Sequence, residues 1–144
     1  MDNRYHQYRQ VEVNTTNRGK IIVMLYSGAI TFLNKSKLYM EKKDYENKGK
    51  YLTKALNIIE ELNISLDLQK GGEIAKNLKS LYLFMDRFLN QANIENNFDK
   101  IDEVIKILEK LKSAFDEIIT SPEHLEAQNI NKIEQTQNSI KRIV

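Results

Sequence analysis

The chain lacks cysteine and tryptophan, and its 144 residues include one proline and five glycines. Without cysteine it forms no disulfide and offers no thiolate, which suits a reducing compartment. No apolar run approaches the ~18 residues that span a bilayer, and residues 1–10 are too polar for a secretory signal. We therefore expect a cytoplasmic protein without stable membrane insertion.

Residues that carry catalytic chemistry are scarce. His6 and His124 lie at opposite ends of the chain, and neither has a carboxylate or a second histidine at a metal-ligand spacing. Gly71-Gly72 follows no strand and precedes no Lys-Ser/Thr pair, so it is not a phosphate loop. We expect no catalytic residue, no metal and no cofactor, and a binding protein in place of an enzyme.

The charge is nearly balanced, with 22 Lys and Arg against 20 Asp and Glu and a net charge of +2. This gives no general attraction to nucleic acid, which we do not expect as a partner. A local basic cluster at Lys35, Lys37, Lys42 and Lys43 is typical of a solvated helix face.

Apolar residues recur at helical spacing along most of the chain, which predicts an all-α protein. Glycine, asparagine and aspartate lie between these stretches, where helices end and begin. We expect four helices: residues 17–40 with Asn17 as N-cap, a second capped by Asp44, residues 72–93 after Gly71-Gly72, and a fourth that starts at Asn97 or Asp99 and closes at Ser121-Pro122.

Four such helices with short connections pack as an antiparallel up-down bundle. Gly28 and Ala29 in the first helix allow a neighbouring element to come close, and an i,i+4 pair of Asp102 with Lys106 supports an exposed face. Gly49 lies inside the second helix, where its cost of about 1 kcal/mol is either offset by a close contact or tolerated. We favour tolerance.

The third helix has more apolar residues than one stripe needs. Leu83, Phe84 and Phe88 fall beside the main stripe, either as additions to a broad core or as the wall of a binding groove. The pattern alone leaves both interpretations open.

The two ends of the chain are set apart from the bundle by their composition. Tyr5, Tyr8 and Val11 give residues 1–16 apolar side chains that favour a segment docked on the bundle over a frayed terminus. Residues 121–144 are polar and rich in Asn and Gln, and we expect a weak helix or a disordered tail. The chain then divides into a domain over residues 1–120 and a tail over residues 121–144.

Several of these segments together resemble the FliS family, the cytosolic export chaperones for flagellin. The resemblance covers roughly residues 3–119 in consistent order and departs from the family where Asn17-Arg18 replaces Ser-Pro and Ser27 replaces Asp in Tyr-Asp-Gly. It is carried by residues 14–33 (NTTNRGKIIVMLYSGAITFL), residues 71–78 (GGEIAKNL), Tyr5, Tyr8 and residues 80–85 (SLYLFM).

The resemblance implies a chaperone that binds the disordered C-terminal segment of flagellin, prevents its premature polymerisation and delivers it to the flagellar type III export apparatus. The flagellar export gate protein is then a second partner, which receives the chaperone–client complex. By the same resemblance the client lies along the second, third and fourth helices, and the N-terminal segment folds over the bundle and rearranges when the client binds. The implied partner-binding residues are Tyr5, Tyr8, Val11, Ile58, Leu62, Leu66, Leu78, Tyr82 and Met85.

The principal alternative is a helical scaffold or dimeric adaptor protein without a flagellin client. A homodimer is compatible with either interpretation.

Overall fold

The chain folds into four α-helices joined by short connections. A computed structural model describes the backbone of residues 3–120 and the side chains of residues 18–120. The helices are α1 (Asn3–Glu41), α2 (Tyr45–Ile64), α3 (Leu68–Glu95) and α4 (Phe98–Thr120). Helix α1 packs against α2 and α4. Helix α3 lies on the opposite side of the bundle and also packs against α2 and α4, but less closely than α1 does. The predicted all-α four-helix bundle is confirmed.

Two of the predicted helix starts are confirmed by their capping hydrogen bonds. The Asp44 carboxylate accepts a hydrogen bond from the Asn47 backbone N–H at 3.2 Å and begins α2. The Asn97 side-chain oxygen accepts from the Lys100 N–H at 3.2 Å, so Asn97 and not Asp99 caps α4. Each cap satisfies a backbone donor that has no partner inside its helix.

The predicted start of α1 is wrong, because the backbone is helical from Asn3 and Asn17 lies inside the helix. Neither proline nor glycine interrupts the chain before Gly19. A helix nucleated by packing therefore extends toward the N-terminus at little cost per residue. The side chains of residues 1–17 and all of residues 121–144 lie outside the described part of the chain, so docking by Tyr5, Tyr8 and Val11 and the state of the tail stay predictions.

Helix α3 begins earlier than expected and is interrupted near its start. Asp67 caps it by accepting from the N–H groups of Gln69 and Lys70 at 3.1 and 3.0 Å. Gly72 then adopts φ 54° and ψ −133°, a conformation that is open to glycine and strained for other residues. The sequence placed the helix start at this kink.

The core consists of one continuous cluster of apolar side chains from all four helices. The expected stripes supply it, and Phe84 joins the core while Phe88 stacks on Phe84 with the ring centroids 4.9 Å apart. Leu83 points to solvent with 47% of its surface exposed. The surplus residues of α3 therefore divide between a broadened core and the surface.

Two lysines form side-chain contacts between helices with residues that are far away in the sequence. Lys37 of α1 forms an ion pair with Asp102 of α4, so the expected pairing of Asp102 with Lys106 does not form. The buried Lys48 donates to the Asn93 carbonyl at 2.9 Å and to the Asn96 side-chain oxygen at 2.7 Å. This places a cation at the C-terminal end of α3, where it interacts favourably with the helix dipole, and burial lowers the pKa of Lys48.

Candidate partner-binding site

The implied client residues of α2 and α3 lie together, but mostly below the surface. Leu62, Leu78, Tyr82 and Met85 are buried members of the core cluster, and Met85 has no exposed surface at all. Their position in the core explains their apolar character without any partner. Whether they also contact a client remains a prediction.

Ile58 and Leu66 are the two implied residues of α2 and its following connection that keep some exposure. Both pack against the outside of the core. The terminal methyl of Ile58 lies 3.3 Å from the position that a Cβ on Gly28 would occupy. The absence of a side chain at Gly28 therefore lets Ile58 sit close to α1, as the sequence predicted for this glycine.

Large apolar side chains are also exposed at positions outside the implied partner-binding residues. They occur on α1, α2 and α3, and α4 exposes none over its described length. The sequence signal was present at these positions, but helical periodicity alone does not distinguish a residue at the margin of a stripe from one inside it. They are Ile21, Met24, Leu38, Tyr45, Ile64, Leu68, Leu83 and Ile94.

A buried pair of tyrosines joins α1 and α3 across the core. The hydroxyl oxygens of Tyr26 and Tyr82 are 2.5 Å apart, and the Tyr26 ring lies 5.6 Å from the ring of Phe115. Burial raises the pKa of Tyr82 to about 12. Burial, together with the neighbouring Tyr82, also raises the pKa of Tyr26 well above its usual value. The pair keeps two polar groups satisfied in an apolar interior.

We expect this pair to make the fold sensitive to alkali. The unfolded chain releases its tyrosine protons near pH 10, while the folded chain holds those of Tyr26 and Tyr82 to higher pH. The stabilisation from protonated tyrosines is therefore complete below pH ~10 and is lost as the pH rises toward 12. Denaturant titrations from pH 8 to 12 measure this loss.

The matched control is the double variant Tyr26→Phe/Tyr82→Phe, whose unfolding free energy should fall less steeply over the same range. The single variant Tyr82→Phe should cost about 1–3 kcal/mol at neutral pH, because it leaves the buried Tyr26 hydroxyl without its partner. Equal pH profiles for the double variant and the parent would contradict the assignment.

The described residues 18–120 contain no cluster of His, Cys, Asp and Glu side chains suited to a metal ion. No helix in the described part of the chain is long and apolar enough to cross a membrane.

Comparison with known proteins identifies the family. The family model described as flagellar protein FliS matches residues 1–122. The chain is 39% identical over 127 residues to the flagellar secretion chaperone FliS of Vibrio cholerae, covering 85% of this chain and 93% of the relative. It is 40% identical over 116 residues to that of Salmonella typhimurium, covering 77% and 86%. With that of Bacillus subtilis the identity is 35% over 121 residues, covering 84% and 90%. A match of this extent, on a four-helix bundle, shows that the chain belongs to the FliS family of flagellar proteins.

Proposed function

We propose that the chain is a cytoplasmic export chaperone for flagellin. It binds the disordered C-terminal segment of flagellin, prevents premature polymerisation and presents the client to the export gate protein of the flagellar type III apparatus. The observation that supports this most is the family match, which runs through the whole described bundle to relatives named flagellar secretion chaperones. In this proposal the protein acts on its client by binding alone, so the proposal includes no catalytic residue and no cofactor.

In this proposal the client binds as amphipathic helices whose apolar faces cover apolar surface of the bundle. Ile58 and Leu66 are the implied residues that a client meets first, because they keep exposed surface at the edge of the core. Leu62 and Tyr82 are buried in the core beneath these two residues. Covering the client's apolar face removes the surface through which flagellin subunits associate.

Contact of the client with the buried residues requires α2 and α3 to separate slightly. These helices approach each other less extensively than α1 and α2 do. Helix α3 is kinked near its start at Gly72, whose φ of 54° lies outside the helical range. In this proposal the first turn of α3 is therefore the place where the bundle adapts to a client.

Calorimetry with a peptide from the C-terminal segment of flagellin tests the proposal. We expect binding with a clearly negative heat-capacity change, because the peptide orders while burying on the order of 1,000–3,000 Å². Ile58→Ser and Leu66→Ser should each weaken binding by about 1 kcal/mol or more. Ile94→Ser is the matched control, since Ile94 is 83% exposed near the far end of α3 and is not among the implied partner-binding residues.

A peptide that stays disordered and releases no heat in the presence of the protein would refute the chaperone proposal. A stable homodimer without client binding, measured by sedimentation, would favour the scaffold or adaptor alternative.

A further inference from the structure

A row of aromatic rings lies along the seam between the C-terminal half of α1 and the N-terminal half of α2. Tyr51 of α2 stacks in parallel on Tyr39 of α1, with ring centroids 5.4 Å apart and 5° between the planes. Phe32 of α1 follows at 6.0 Å from Tyr51. All three side chains are half-buried.

Three exposed lysines lie over these rings. The ammonium nitrogen of Lys54 is 5.1 Å from the ring centroid of Tyr51 and 5.5 Å from that of Phe32. Lys35 lies 5.3 Å from the Tyr51 centroid, and Lys42 lies 5.9 Å from that of Tyr39. The basic aromatic patch consists of Phe32, Lys35, Tyr39, Lys42, Tyr51 and Lys54.

The three ammonium groups of the patch have no acidic partner among the described side chains. Elsewhere in the bundle, Lys37 pairs with Asp102 and Lys100 pairs with Glu95. No described carboxylate lies within ion-pair distance of Lys35, Lys42 or Lys54. A ring face attracts a cation but carries no net charge, so the patch retains its full positive charge.

The patch also lies in a basic part of the sequence. Residues 35–54 contain seven lysines and three carboxylates, which gives this segment a net charge of +4. The rest of the chain has 15 basic and 17 acidic residues and a net charge of −2. The small net charge of the whole chain is thus the sum of a positive segment and a slightly negative remainder. The positive segment attracts anions to its part of the surface.

From this arrangement we propose that the basic aromatic patch binds an acidic segment of a partner protein, through side chains other than those proposed for the flagellin client. Carboxylates of the partner accept hydrogen bonds from the ammonium groups of Lys35, Lys42 and Lys54. Exposed ion pairs usually gain little, because two long side chains must be immobilised. The rings hold these lysines in place in the free protein and reduce that cost.

The ring contacts favour an acidic protein segment over a nucleic acid. Single-stranded nucleic acids bind through bases that stack on aromatic faces. Here each of the three rings already has an ammonium group over it, and Tyr39 and Tyr51 cover each other. What the patch offers a partner is therefore positive charge at fixed positions.

The patch adjoins the proposed client residues at one end only. Lys54 lies one helical turn before Ile58 on α2, roughly 6 Å along the helix, whereas Tyr51 and Leu62 are eleven positions apart, roughly 16 Å. A test of the patch that is independent of the client therefore has to leave Lys54 unchanged.

Fluorescence anisotropy with a labelled, glutamate-rich peptide tests the proposal on the full chain. We expect binding that weakens as salt is added, because the contacts are exposed ion pairs. The triple variant Lys35→Gln/Lys42→Gln/Lys54→Gln should weaken it at least about tenfold. Chemical acetylation followed by mass spectrometry should show these three lysines protected in the presence of the peptide.

The matched control is Lys70→Gln/Lys76→Gln/Lys79→Gln on α3, which removes the same charge from exposed positions away from the patch. We expect it to change the affinity by less than about twofold. The double variant Lys35→Gln/Lys42→Gln, which leaves Lys54 beside Ile58 unchanged, should weaken binding of the glutamate-rich peptide and bind the flagellin peptide as the parent does. Equal weakening by the two triple variants, or no binding of the glutamate-rich peptide at low salt, would overturn the proposal. Tighter binding of a single-stranded oligonucleotide or of phosphatidylserine vesicles through the patch lysines would overturn it in favour of those ligands.

Discussion

Leu62→Ala and Met85→Ala should each lower the free energy of unfolding by about 2–5 kcal/mol, as measured by urea denaturation. Leu62 is 1% exposed and Met85 is fully buried, and both belong to the continuous core of the bundle. Truncation removes favourable burial and leaves a cavity that the surrounding helices only partly fill. The effect is large because the total stability of a small domain is only about 5–15 kcal/mol.

Leu83→Ala provides the control for this prediction, since Leu83 has the same chemistry but is 47% exposed on α3. Its cost should stay below about 1 kcal/mol. If Leu62→Ala and Met85→Ala cost no more than Leu83→Ala, these residues do not pack in the free protein as the structure has them. Reduced client binding with unchanged stability would then identify them as surface residues of the client site.

Gly72→Ala should destabilise the protein by about 1–3 kcal/mol, because a Cβ disfavours the backbone conformation of Gly72 at φ 54° and ψ −133°. No atom of a more distant residue lies within 4 Å of the position of that Cβ, so the expected cost comes from the backbone and not from a clash with a neighbouring element. A thermal or denaturant melt measures it.

Gly49→Ala should act in the opposite direction and stabilise the protein by about 0.5–1 kcal/mol. Gly49 lies inside α2 with helical backbone, and the closest atom to an added Cβ is the Asn93 side-chain oxygen at 4.0 Å. Because no close helix contact requires a glycine here, the loss of helix stability at Gly49 is tolerated, as predicted from the sequence. Destabilisation by Gly49→Ala would contradict the open surroundings of this glycine, and an unchanged stability of Gly72→Ala would contradict the backbone strain expected there.

The sequence predicted the fold well where the signals are local. Asp44 and Asn97 form the capping hydrogen bonds that their positions indicated, because an N-cap depends only on the few residues that follow it. The apolar stripes of α2 and α4 predicted the core in the same way, since helical periodicity fixes which residues share a face. Asn17 was misplaced because a good capping residue does not stop a helix that is able to continue.

The side-chain pairs between different helices could not be predicted from the sequence. Asp102 has Lys106 one turn away, yet it pairs with Lys37, 65 positions earlier. The bond between Tyr26 and Tyr82 likewise depends on how α1 and α3 face each other across the core. Helical periodicity is a property of one helix. It indicates which face of that helix is buried, but not which other helix packs against that face.

The same limit applies to the candidate site. The resemblance implied Leu62, Leu78 and Met85 as partner-binding residues, and the structure places them in the core. The basic cluster at Lys35 and Lys42 was visible in the sequence, but its aromatic neighbours on α2 were not, because Tyr51 reaches it only through the pairing of the two helices.

The packing of α1 against α4 bears on how the protein is made on the ribosome. Tyr26 and Phe115 contact each other although they are 89 positions apart, and Gly19 lies against Ile119. At roughly 5–20 residues per second, α1 emerges several seconds before the helix that covers one of its sides. During that interval the nascent chain exposes part of its own apolar stripe. We therefore expect that this protein first has to avoid aggregation during its own synthesis.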